Sequence, residues 1–128
     1  MHSGLDRLAA GFDDIVQGKR VALICNHTSI DRFGRHAVEI IQTIRGASIE
    51  LLMGPEHGLR STHQDMEAVD SSGQTLDPVF NLPVTSLYGD NVATLTPAPE
   101  LFENIDLLVF DVQDIGTRYY TYAATLAF

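Results

Sequence analysis

Short apolar runs, each broken off by glycine, proline or a cluster of polar residues, constrain this chain more than any other feature. Arg20–Cys25 is apolar after its first residue, Ser48–Met53 is mostly apolar, and the last run begins Leu107-Leu108-Val109-Phe110. A strand with one wet face alternates apolar and polar residues. A continuous run instead predicts a strand covered on both faces, as in a parallel sheet flanked by helices. Asn26-His27-Thr28-Ser29 follows the first run, Gly54-Pro55-Glu56-His57-Gly58 the second, and Asp111-Val112-Gln113-Asp114-Ile115-Gly116-Thr117-Arg118 the last. Polar residues crowded at strand ends mark the edge where open α/β sheets bind ligands.

Between the runs the period changes from strand to helix. Leu5, Leu8, Ala9, Phe12, Ile15 and Val16 follow helical spacing, with Ser3 and Asp6 placed as a capping box and Gly18 just past the end. Phe33, Ala37, Val38, Ile40, Ile41 and Ile44 predict a second helix closed by Gly46. Val84–Tyr88 reads as a short third strand and Pro97–Glu103 as a brief helix packing Leu101 and Phe102. From Leu59 to Pro83 the pattern dissolves into polar residues, an unusually long connection for a compact domain. These elements predict an α/β fold, Rossmann-like, with three α/β/α layers around a mainly parallel sheet and a single domain over residues 1–128.

Charge narrows the possible partners. The 128 residues carry 8 Lys plus Arg against 17 Asp plus Glu, a net charge of −9, which argues against nucleic acid and anionic membrane surfaces. No run reaches the length of a membrane span, and the N-terminus lacks the basic-then-apolar layout of a leader, so the expected location of the chain as given is the cytoplasm. The single Cys25 sits inside the first apolar run, where a small buried hydrophobe is expected and no intrachain disulfide can form.

Loops that follow parallel strands emerge on one edge of the sheet, so Asn26 and His27, Glu56 and His57, and Asp111–Arg118 are expected to share a cleft. Glu56 with either Asp111 or Asp114 would supply the pair of carboxylates used in glycoside hydrolysis. Arg118 suits a ligand carboxylate or phosphate, and Tyr119, Tyr120 and Tyr122 offer flat faces and hydroxyls for a sugar. His57, His63, Asp65 and Glu67 match no compact metal-binding spacing, so no metal is expected. No glycine-rich nucleotide fingerprint and no Gly-x-Ser-x-Gly elbow occurs, and no cofactor is expected.

Several blocks, taken in order, carry a resemblance. Gly18-Lys19-Arg20-Val21, Asn26-His27-Thr28, Gly54-Pro55-Glu56-His57-Gly58-Leu59-Arg60, Leu82-Pro83-Val84, Ser86-Leu87-Tyr88-Gly89 and Val109–Tyr122 are similar to the N-terminal part of the DUF1343 family. Its characterised members are exo-β-N-acetylmuramidases of the NamZ type, which remove N-acetylmuramic acid from the non-reducing end of peptidoglycan fragments. The resemblance implies a Rossmann-like N-terminal domain joined to a second domain, with the site in the cleft between them. It implies Glu56 and Asp114 as catalytic carboxylates and Asn26, His57, Arg60, Gln113, Arg118 and Tyr120 as sugar contacts. Arg118 or Arg60 would neutralise the lactyl carboxylate of the sugar. Family members are longer and often exported, so the resemblance also implies that the C-terminal domain is absent, leaving a surface for that domain or for a homodimer. A sugar-binding module without turnover, or a remnant of the enzyme, is the alternative reading. Ser61–Glu67 departs from the Gly- and Ala-rich sequence that the family carries before its matching glutamate, with Met66 in place of a small residue.

Overall fold

The computed structural model describes residues 1–54, 68–69, 75–87 and 97–113. The apolar run Arg20–Cys25 forms β1, buried at every position after Arg20. It lies between β2 (Ser48–Gly54) and β6 (Leu107–Asp111) and runs parallel to both. β1 is therefore an interior strand, paired on both sides. β5 (Pro83–Ser86) joins β2 on the far side, also parallel. Two further strands, β3 (Ala68–Val69) and β4 (Thr75–Leu76), add an antiparallel edge, giving the order β3-β4-β5-β2-β1-β6. A mainly parallel sheet thus forms as predicted, whereas part of the patternless 59–83 connection is paired into that edge. Two-residue strands carry too few side chains to show a period, and their backbone pairing holds them.

Two helices cover one face. α1 (Gly4–Ala9) starts with the predicted capping box: the Asp6 amide donates to Ser3 Oγ at 3.0 Å and the Ser3 amide to Asp6 Oδ2 at 2.8 Å. The helix expected to reach Val16 stops early, because Gly11 adopts φ +94°, a left-handed conformation that a helix cannot continue through. Phe12 and Ile15 consequently stay 64% and 71% exposed, while Val16 folds back into the core. α2 (Ala37–Thr43) buries Ala37, Val38, Ile40 and Ile41. Phe33, predicted on its apolar face, lies before the helix and is exposed. Gly46 closes this unit at φ +71°, and a Cβ there would come within 3.1 Å of the Gly18 backbone. Only glycine fits both requirements.

The layers separate cleanly. Leu5, Val16, Val21, Leu23, Cys25, Val38, Ile41 and Leu52 pack on the helical side. Ala22, Ile24, Leu51, Met53, Leu87 and Val112 pack on the other, against Leu101, Phe102 and Ile105 around a 3₁₀ turn at Pro99–Phe102. Simple alternation would place Ile49 and Leu51 on the same face. The β1–β2 register instead skips Glu50, and this irregularity sends Ile49 to one side and Leu51 to the other. The amino-terminal edge is tied by Arg20, whose guanidinium meets Asp106 at 2.8 and 3.0 Å and whose amide donates to the same carboxylate at 2.9 Å. Those donors hold Asp106 well below the usual carboxylate range.

Candidate functional site

Read along the parallel strands, the order is third, second, first, fourth, so the direction of winding reverses between β1 and β6. At such a reversal the loops part and leave a crevice at the carboxyl ends. Asn26 leaves β1 there. Val112 and Gln113 leave β6 on the same edge, because Cys25 is in register with Asp111.

The β1 loop is shaped by its own side chains. Asn26 is buried, and its Oδ1 accepts from the Thr28 amide at 2.9 Å and the Thr28 hydroxyl at 2.6 Å. The Asn26 amide donates to Ser29 Oγ at 3.0 Å, and the Ser29 amide returns to the Asn26 carbonyl at 3.1 Å. The Ser29 hydroxyl donates to the Asp111 carbonyl, which joins this turn to the end of β6. Asn26, predicted as a sugar contact, is thus buried at this edge of the sheet, with its side-chain Oδ1 engaged inside the loop. Further along, Asp31 is buried and accepts from the Phe33 and Arg35 amides and from Arg35 Nε. Burial alone would raise its pKa, but the donors of Arg35 and Phe33 outweigh that and lower it.

His36 was not anticipated. Its Nδ1 accepts from the Val38 amide at 3.2 Å as the N-cap of α2, and its Nε2 donates to the Asn26 carbonyl at 2.9 Å. Its ring stacks on Phe80, with centroids 5.3 Å apart and planes at 28°. Phe80 belongs to a turn held by Asp77, whose Oδ1 accepts from the Val79 and Phe80 amides at 2.9 and 2.8 Å. The available signal was Glu39, three residues after His36, whose carboxylate accepts from the His36 amide to complete a capping box. The apolar period from Phe33 obscured it.

Two titratable groups face each other across the strands. Burial, aided by the charges of Asp111 and Asp77, pushes the Cys25 thiol up to about 12, so it remains a neutral hydrophobe. Asp111 Oδ2 is buried and has no hydrogen-bond partner among the described residues. Burial raises the Asp111 pKa, and the neighbouring His36 only partly opposes this. A carboxyl whose folded-state pKa is raised favours the fold below its unfolded value and weakens it as pH climbs through the raised value. Asp111→Asn is therefore expected to raise the melting temperature at pH 7, by roughly the 1 kcal/mol scale of an unpaired buried polar group, with the gain vanishing near pH 3. Thermal melts of both proteins across that range check it, and a gain that persists undiminished at low pH would refute the assignment.

Gln113 is exposed on the rim. Glu56, His57, Arg60, Asp114, Arg118 and Tyr120 lie outside the described residues, as do His63, Asp65 and Glu67. β2 ends at the buried Gly54 on the same edge as Asn26.

Comparison with known proteins adds to this geometry. Residues 21–128 match the family model described as exo-β-N-acetylmuramidase NamZ, N-terminal. The chain is 38% identical over all 128 residues to the peptidoglycan β-N-acetylmuramidase NamZ of Bacillus subtilis (strain 168), and spans 30% of that protein's length. A crystal structure of a DUF1343 family protein from Bacteroides fragilis NCTC 9343 superposes with a TM-score of 0.75 at 37% identity, over 98% of this chain and 29% of the other. A second DUF1343 family protein from the same organism gives a TM-score of 0.69 at 26% identity, with the same coverage.

Proposed function

Since the chain belongs to the family of NamZ exo-β-N-acetylmuramidase N-terminal domains, we propose that it forms one wall of a glycosidase site that releases N-acetylmuramic acid from the non-reducing end of peptidoglycan fragments. The observation that supports this reading is the reversal of winding between β1 and β6, where Asn26 and Gln113 leave their strands on one edge. The sequence after β2 brings Gly54-Pro55-Glu56-His57, and that after β6 brings Gln113-Asp114.

In this reading Glu56 and Asp114 divide the proton work. One carboxylic acid protonates the departing glycosidic oxygen as the bond to the anomeric carbon breaks, and the other carboxylate assists attack at that carbon. Arg118, with Arg60, takes the lactyl carboxylate as a charge-assisted pair, which a chain of net charge −9 needs in order to hold an anion. His57, Gln113, Tyr120 and Asn26 orient the sugar.

The test is release of chromophore from a chromogenic N-acetylmuramide, run beside calorimetry with N-acetylmuramic acid. Turnover by this chain supports the enzyme reading. Saturable heat without turnover supports a binding module. Absence of heat and of turnover at millimolar ligand would end both.

A further inference from the structure

Resting on that reading, we propose that His36 is a positioning residue for the sugar-facing turn, acting through the carbonyl of Asn26. The turn at residues 26–29 leaves β1 at the carboxyl edge beside β6, and besides its own side chains it is held by one from the start of α2.

Both ring nitrogens of His36 are committed in a way that defines its tautomer. The Val38 amide is a donor, so Nδ1 must be the bare acceptor; the Asn26 carbonyl is an acceptor, so Nε2 must carry the proton. The Asn26 carbonyl then receives two donors, His36 Nε2 at 2.9 Å and the Ser29 amide at 3.1 Å. Rotating the ring away would break the helix cap, the bond to Asn26 and the stack on Phe80 together. The turn is also held from β6 by the Ser29 hydroxyl on the Asp111 carbonyl. Asn26 is thus held by two routes: by His36 of α2, itself stacked on Phe80, and through Ser29 by the end of β6. A displacement of about 1 Å in a positioning group is enough to cost up to roughly a hundredfold in a reaction.

The two nitrogens can be tested separately. Asparagine places an acceptor near the position of Nδ1, keeping the cap without reaching Asn26. Glutamine places an amide donor near Nε2, keeping the reach while capping poorly. His36→Ala is expected to lose both functions. His36→Asn is expected to restore the melting temperature to within about 2 °C of the parent, yet to bind N-acetylmuramic acid about tenfold more weakly. His36→Gln is expected to restore affinity to within about threefold while melting several degrees lower. Calorimetry and thermal melts measure these, and the Thr28 and Ser29 amide resonances are expected to move in His36→Asn but stay near the parent in His36→Gln. Affinity that simply follows melting temperature through the series, or Thr28 and Ser29 resonances unmoved in His36→Asn, would overturn the proposal. Should the parent bind no N-acetylmuramic acid, the muramidase reading fails by itself, and the amide resonances still decide the role of His36.

Discussion

On the proposed muramidase reading, Glu56→Gln is expected to lower turnover of a chromogenic N-acetylmuramide by about 10²–10⁴-fold, the usual contribution of a general acid or base, with little change in KM. Glutamine keeps the shape and most hydrogen bonds of the glutamate but cannot exchange a proton, so ground-state binding survives while the transition state loses its proton donor or acceptor. A fall shared equally between kcat and kcat/KM is therefore the signature sought. Asp114→Asn should produce a loss in the same range if the two carboxyls divide the work, and the double variant should lose less than the product of the two. A rate within about tenfold of the parent for Glu56→Gln would remove Glu56 from the chemistry.

The largest expected effect on stability comes from Leu23→Ala. Leu23 has no exposed surface, lies in register with Leu52 and Val109 on the neighbouring strands, and packs with both beneath α2. Neighbours of a strand paired on both sides cannot collapse into the space left, so removing the side chain combines lost transfer energy with a residual cavity, about 2–5 kcal/mol. Denaturant unfolding should show the midpoint falling at an unchanged slope. Phe33→Ala is the internal control: Phe33 is 71% exposed, and its loss is expected to stay within about 0.5 kcal/mol. Equal losses in the two variants would contradict the burial pattern.

Where a segment is covered on both faces, its sequence declared its structure. β1 could be read from Val21-Ala22-Leu23-Ile24-Cys25, because every side chain there meets the core and nothing polar is tolerated. α2 was legible from Ala37, Val38, Ile40 and Ile41 for the same reason. Three features stayed hidden because they depend on the backbone or on a distant partner. The early end of α1 turns on the dihedral of Gly11, whose neighbours keep helical spacing. The shift at Glu50 arises from pairing with β1. The β3–β4 edge is held by ladders whose side chains show no period. Of the site, the strand ends that place Asn26 and Gln113 on one edge were readable. The role of His36 was not, because it depends on Asn26 ten residues earlier in the chain and on Phe80.

β1 is paired on both sides, by β2 and by β6, and those two sides close at very different times. β2 reaches β1 through a short crossover, whereas the Arg20–Asp106 clamp beside β6 spans 86 positions. Loop closure on that scale makes for slow folding. On the ribosome, Leu108 and Phe110 must clear the exit tunnel before the second flank of β1 can be covered. Until then the nascent chain exposes one apolar edge of a half-built sheet, the point at which chaperone binding and aggregation would compete with folding.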